Sequence, residues 1–388
     1  MSNRKIFFTL FLAVLVTTTG VGLVAPLLPV YAHELGAGSF QIGLIFGAFS
    51  LTRSLFVPYF GRLSDRKGKK GLLSAGLFLY FIISLSYAAS KDIWTLILLR
   101  LAQGFSSAMI LPVAQAYVGI ISPEHKEGRI MGLFNLSLYI GLSIGPLLGG
   151  VVKDMFNIQV SFLCMAAMTL AGFLLCLLFL PSEAASAKKD AGAGNMQIIS
   201  YFTLIKSPAN MSLFLFRLCF TLCIGITWAF IPVLASTRLG LSSSAIGVVV
   251  MINVLISGLL QAPMGILADK YSKKFLVTAG GVLGIISILY LNVASSFAGV
   301  FFANALLGLA GGFAVPSIMA LGVIEGRRIN AMGAMMGLLA LAHSLGMLVG
   351  PLLAGALIDL TSFEDVFSLG AVIIGVGTIV FRRFAETR

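Results

Sequence analysis

Three arginines and one histidine stand where an ionised group is hardest to keep. Arg53, Arg100, Arg217 and His343 fall inside long apolar stretches of this 388-residue chain, and no other basic or acidic group lies near the middle of such a stretch. A guanidinium keeps its proton under all ordinary conditions, so each arginine is a fixed cation that must face protein or water. Fixed cations of this kind bind an anion or tie helices together through carbonyls, and at least one of the three is expected in the second role. His343 adds a group that titrates in a useful range. Near these four, Gln103, Asn135, Tyr139, Trp228, Asn253, Gln261 and Asn304 offer polar or aromatic contacts to a small molecule. No Asp or Glu sits at the centre of an apolar stretch, so an anionic or neutral amphipathic ligand fits the set better than a cationic amine. The candidates for moving a proton are Asp65, Glu34 and His343.

Other chemistries find little support. Cys164, Cys176, Cys219 and Cys223 all lie in apolar stretches, where a thiol acts as a small buried hydrophobe, and their spacing suits neither a disulfide framework nor a metal. The three histidines are scattered. With no nucleophile, metal or phosphate-loop constellation, an enzyme is disfavoured and no cofactor or metal is expected.

The elements that must position these residues are membrane spans. Hydrophobic residues make up 59% of the chain and charged residues 10%, a balance that cannot cover a folded surface in water. Stretches of roughly 20 apolar residues, the length that crosses a bilayer, occur near 7–31, 40–60, 72–90, 93–118, 129–152, 158–180, 210–235, 244–264, 275–293, 297–320, 331–357 and 365–381. The first follows Arg4 and Lys5 but is too long for a signal-peptide core, and more spans follow, so it is expected to be retained. Of the 26 lysines and arginines, 20 fall on the side of the N-terminus, 3 on the opposite side and 3 within spans. This bias places both termini in the cytoplasm of a bacterial inner membrane. The net charge of +12 then reflects topology and attraction to anionic lipid, not nucleic acid.

The spans divide into two sets of six. Residues 1–181 form a first bundle, 182–209 a polar cytoplasmic linker and 210–388 a second bundle. Sliding the second half back by about 204 residues superposes Gly61 on Gly265, Asp65 on Asp269, Gly104 on Gly308 and Pro112 on Pro316; one residue further, Gly145-Pro146 meets Gly350-Pro351. A duplicated six-helix unit explains the register, in the parallel arrangement of one large class of membrane proteins. Nine prolines fall in spans 1, 2, 4, 5, 7, 8, 10 and 11: Pro26, Pro29, Pro58, Pro112, Pro146, Pro232, Pro263, Pro316 and Pro351. Spans 3, 6, 9 and 12 have none. These four read as straight outer braces, and the others as the bent lining of a pathway.

Three motifs carry a resemblance. After span 2 the chain reads Gly61-Arg62-Leu63-Ser64-Asp65-Arg66-Lys67-Gly68-Lys69-Lys70-Gly71-Leu72-Leu73, and after span 8 a weaker copy, Gly265-Ile266-Leu267-Ala268-Asp269-Lys270-Tyr271-Ser272-Lys273-Lys274, with Ser272 in place of Gly68. Span 4 contains Arg100-Leu101-Ala102-Gln103-Gly104, built on the buried arginine. Span 5 contains Gly141-Leu142-Ser143-Ile144-Gly145-Pro146-Leu147-Leu148-Gly149-Gly150. In these motifs, and in span number and order, the chain resembles the major facilitator superfamily, most closely its twelve-helix drug:proton antiporter branch. That resemblance implies an all-α membrane fold of two pseudo-symmetric six-helix bundles working by alternating access. It implies gating by Gly61, Asp65, Arg66, Gly68, Lys69, Gly265, Asp269 and Lys273, as a latch between the halves. It also links Gly141, Gly145, Pro146, Gly149 and Gly150 to antiporters, although Gly346, Gly350 and Gly355 could form a similar small-residue seam in span 11.

The expectation is a secondary transporter, acting as a monomer, that exports a small amphipathic drug or metabolite in exchange for protons, as in multidrug resistance. An importer or uniporter of an organic anion, and a non-transporting membrane sensor, are the alternatives.

Overall fold

The computed structural model describes residues 3–122, 127–181, 204–329 and 332–385. Among them no strand occurs, and twelve helices are long and apolar enough to cross a membrane. Span 1 is Asn3–Glu34, span 2 Ser39–Gly61, span 3 Lys69–Ala89, span 4 Ile93–Ile121, span 5 Ile130–Met155 and span 6 Ile158–Phe179. Span 7 is Pro208–Thr237, span 8 Ser243–Ala268, span 9 Lys273–Leu291, span 10 Phe297–Arg328, span 11 Ala334–Ile358 and span 12 Phe363–Phe384. Of the polar linker, residues 182–203 lie outside the described residues.

Helix starts repeat along with the spans. Asp92 accepts a hydrogen bond from the Thr95 N–H at the start of span 4, and Ser296 accepts one from Gly299 at the start of span 10. Asn157 and Ser362 do the same for spans 6 and 12. Each side chain satisfies a backbone donor that the first helical turn leaves open.

Proline alone does not decide where a helix breaks. Span 1 consists of two helices, Asn3–Val24 and Leu27–Glu34, parted at Ala25-Pro26, and span 4 is parted at Met109-Ile110 into Ile93–Ala108 and Leu111–Ile121. Pro232 and Pro316, in spans 7 and 10, lie inside continuous helices. Span 10 also continues well past the apolar stretch at 297–320, carrying Glu325 into the helix. Glu325 is buried there and paired with Arg328 at 2.6 Å.

The chain forms two compact units: Met1–Ala37, Ala48–Lys189 and Gly240–Met251 in one, Gly38–Gly47, Asp190–Leu239 and Ile252–Arg388 in the other. They follow the two six-span halves except for an exchange. The first turns of span 2 belong with the second half, and the first turns of span 8 with the first.

Within the first unit span 1 packs on spans 5 and 6, and span 3 on spans 4 and 6; within the second, span 7 packs on 11 and 12, and span 9 on 10 and 12. The proline-free spans therefore pair, 3 with 6 and 9 with 12. Lys70 Nζ donates to the Leu180 carbonyl at 2.5 Å and Lys274 Nζ to the Ala385 carbonyl at 2.8 Å. A cation on the open carbonyls of a helix end ties each pair together at the side of the termini.

Candidate functional site

In the first unit, close backbone approach brings two arginines to one aromatic ring. A β-carbon on Gly104 would stand 2.3 Å from the Phe49 carbonyl oxygen, so only glycine lets spans 2 and 4 meet here. Thr52 Oγ1 completes the contact by donating to the Leu101 carbonyl at 2.9 Å. Arg53 and Arg100 then approach the Phe49 ring, at 5.9 and 5.4 Å from its centroid. The ring's negative faces attract both cations and lower the cost of keeping them out of water.

Arg100 is buried and aimed by its neighbours. Its Nη1 donates to Gln103 Oε1 at 2.9 Å, which also accepts from the Tyr87 hydroxyl at 3.1 Å, while Gln103 Nε2 donates to the Tyr80 hydroxyl at 2.8 Å. Gln103 is 2% exposed, so it holds Arg100 and joins spans 3 and 4 instead of offering its amide outward. Tyr87 stacks on Phe162 of span 6 with centroids 5.3 Å apart, extending the network to the brace pair. Phe49, Tyr80 and Tyr87 did not stand out in the sequence, where a helical aromatic reads as core; a polar residue one turn from a buried arginine was the available signal.

The second unit has a different basic pair. Arg217 Nη2 of span 7 stands 3.4 Å from Nδ1 of His343 on span 11. Arg217 can only donate, so the contact is a hydrogen bond when the imidazole is neutral with Nδ1 bare; a proton at Nδ1 removes the acceptor. At the positions of Arg217 and His343 the first half has Ala13 and Leu138, just as the second half has Ser257 and Asn304 for Arg53 and Arg100. Each half therefore carries its own basic constellation on different helices.

The remaining candidates are dispersed. Asn135 Oδ1 accepts from the Gln115 amide at 3.4 Å, and Asn253 Nδ2 donates to the Asn304 carbonyl at 3.2 Å, beside Ser257 Oγ bonded to the Gly308 carbonyl at 2.9 Å. Tyr139, Trp228 and Gln261 are half-buried on spans 5, 7 and 8. Glu34 is exposed and paired with Lys153 at 2.7 Å.

The two signature loops solve one problem differently. Gly68 starts the span 3 helix with φ of 85°, a left-handed conformation that side chains resist. Its counterpart Ser272 has φ of −60° and caps span 9 with its hydroxyl on the Phe275 N–H. Gly61 and Gly265 have open space around them, Lys69 is buried and Lys273 half-buried. The side chains of Asp65, Arg66 and Asp269 lie outside the described residues.

The span 5 glycines are a packing seam. β-Carbons on Gly141, Gly145 and Gly149 would stand 2.1 Å from Thr18 Oγ1, 2.6 Å from the Thr19 carbonyl oxygen and 1.9 Å from that of Leu23, all on span 1. In the second unit Gly346 and Gly350 would come within 2.2 Å of Thr221 Oγ1 and the Leu222 carbonyl oxygen on span 7. The seam is duplicated, so its geometry specifies helix contact rather than direction of movement. Among the described residues no cluster of His, Cys, Asp or Glu could hold a metal ion.

Known proteins match this chain over nearly their whole length. An uncharacterized MFS-type transporter of Methanocaldococcus jannaschii is 26% identical over 382 residues, 98% of each chain. The quinolone resistance protein NorA of Staphylococcus aureus is 24% identical over 388 residues, covering 98% of this chain and 97% of that one. The crystal structure of a variant of the nucleoside transporter NupG matches with a TM-score of 0.83 at 13% identity, covering 98% of this chain and all of the other, which establishes the shared fold. The sequence profile of the Major Facilitator Superfamily matches residues 10–241 and 213–388. The chain, a multi-pass membrane transporter, belongs to that superfamily.

Proposed function

We propose that this transporter exports small anionic or neutral amphipathic molecules across the cytoplasmic membrane by alternating access, driven by protons moving inward, with both termini cytoplasmic. The observation that carries the substrate class is the pair of basic constellations, half-buried Arg53 with buried Arg100 on Phe49 and buried Arg217 beside half-buried His343, in spans whose centres contain no carboxylate. Efflux is supported by likeness to the quinolone resistance protein over nearly all of both chains. His343 is the proposed proton carrier. It is the titratable partner of a fixed cation, so taking up a proton at Nδ1 replaces a hydrogen bond with repulsion between two cations and loosens spans 7 and 11. Gln103 serves to aim Arg100, and the loops around Asp65 and Asp269 serve as the cytoplasmic latch.

The test uses proteoliposomes with an imposed pH gradient and three probes: the quinolone norfloxacin, fluorescein as an organic anion and uridine as a neutral solute. Expected is uphill accumulation of norfloxacin or fluorescein that collapses with the gradient. Accumulation indifferent to the gradient defeats the coupling. The same fold working as an organic-anion importer or uniporter is the second reading, favoured by the arginines alone. It predicts fluorescein movement down its own gradient without protons.

A further inference from the structure

The exchanged segments meet their hosts in the same way at two repeat-related places. In the first unit Asp154, at the end of span 5, accepts from the first two N–H groups of span 8: Ser243 N to Oδ1 at 3.0 Å and Ser244 N to Oδ2 at 2.7 Å. The Ser244 hydroxyl adds a third bond to Oδ2 at 2.5 Å. In the second unit Asp359, just past span 11, does the same to the start of span 2, from Ser39 N to Oδ1 at 2.9 Å and Phe40 N to Oδ2 at 3.1 Å. Each carboxylate thus engages two consecutive open donors at the positive end of a long helix, the placement in which an anion is most stabilising.

Beneath each carboxylate the contact is backbone on backbone. β-Carbons on Gly150 and Gly247 would stand 2.2 Å from the carbonyl oxygens of Ser243 and Pro146. In the second unit those on Gly355 and Gly43 would stand 2.3 Å from those of Ser39 and Pro351. Glycine surfaces of this kind part without disengaging interlocked side chains, so directional hold falls to the carboxylates. Those carboxylates are also near water, which can replace the N–H donors at little cost when the helices separate.

Partial burial pushes the Asp359 carboxyl up, but the Phe40 N–H together with the hydroxyl and N–H of Ser39 outweighs it and holds the group below the usual carboxylate range. It stays ionised and engaged at neutral pH.

We propose that Asp154 and Asp359 are positioning residues for transport: paired catches that hold the starts of spans 8 and 2 on the face opposite the termini and release once in every cycle. The need for release rests on the alternating-access reading above. The hold itself does not, and it is tested without any transported compound.

Nitroxides placed at Lys91 and Val293 by a chemistry that spares the native cysteines report separation on that face. Asp154→Asn with Asp359→Asn should shift the balance from short to long distances by roughly tenfold or more, with each single change giving several-fold. Asp154→Glu and Asp359→Glu should restore most of the short population. A distance distribution unchanged in the folded double variant overturns the proposal.

A second variant tests release. Asp154→Cys with Ser244→Cys, joined by a short thiol cross-linker, should stop norfloxacin and fluorescein accumulation, and cleavage of the linker should bring it back to the level of the uncrosslinked double variant. Turnover with the link intact overturns the release step. A parent protein that moves none of the probes defeats the proposed substrate class, and the nitroxide distances still decide the hold.

Discussion

The two halves of this transporter keep the same frame and differ inside it. Span 4 breaks at Met109-Ile110, where span 10 runs on through Phe313-Ala314, and span 1 breaks at Pro26 where span 7 carries Pro232 unbroken. Met109 and Ile110 are large and press on Gly76; at the matching place span 10 lays the smaller Ala310 and Ala314 against Gly280 and remains helical. The first half invests in a closed polar hub at Gln103, whereas Leu307 fills that position in the second. The second half instead places its cation opposite a histidine. Peripheral devices, namely helix caps, lysine ties, glycine seams and carboxylate catches, recur in both halves. Duplication has preserved what holds helices together and let the interior diverge, as function lodged in sites on a shared fold requires.

The largest expected effect tests the shared frame. Gly350→Val should cost at least about 3 kcal/mol and prevent recovery of monodisperse protein, and Gly145→Val slightly less, because the Leu222 carbonyl lies closer to its glycine than Thr19 does. Tolerance of valine in one seam and not the other would break the equivalence of the halves.

The hub comes next. Gln103→Leu leaves Tyr80, Tyr87 and Arg100 short of a partner they share, and should lower stability by about 2–3 kcal/mol in thermal unfolding. Leu307→Gln, the reverse change in the other half, buries an amide at a position built for a hydrocarbon and should cost about 1–3 kcal/mol. Equal neutrality of both would deny that the halves differ here.

Smaller changes in stability with larger changes in turnover are expected at the basic groups. Arg217→Gln and Arg53→Gln should each reduce accumulation of fluorescein by about tenfold with little change in unfolding temperature, a loss of about 1.4 kcal/mol in transport. His343→Gln should flatten the response to the proton gradient while leaving binding of the anion measurable. The smallest effect is a null one. A carboxyl held below its ordinary range contributes stability above that range and loses it only as the pH falls through the lowered value. With His343 replaced by Gln, so that the proposed proton carrier is silent, nitroxide distances should therefore not change between about pH 7.5 and about pH 5.5 if Asp359 is a catch and not a proton carrier.

Spans, their division by proline content and the offset between halves were legible from residue order, because each depends on local apolar length or on a register that glycine and proline mark; that the proline-free spans pair, 3 with 6 and 9 with 12, was not. Asp92 and Ser296 could be read as helix starts by the same logic. The hub at Gln103 was not legible, since its partners Tyr80 and Tyr87 lie on another span and look like ordinary core. The Phe49 contact depends on Gly104 letting two backbones meet, a non-local condition. Asp154 and Asp359 were within reach, being acids at matching places in the repeat, but their significance lies in the exchange of helix starts, which no local pattern encodes. That Pro316 lies inside an unbroken helix was likewise beyond local pattern, since Pro112 stands at a break in the matching span.

The exchange of helix starts also sets an order of assembly. As the chain enters the membrane, the first unit lacks residues 240–251 until all of span 7, the turn after it and the first turns of span 8 have been made. Until then the notch around Gly150 stands vacant and Asp154 has no helix to engage. The first six helices are thus an incomplete body whose last piece is delivered by the second half, so separating the halves at the central linker leaves each without a fragment of itself.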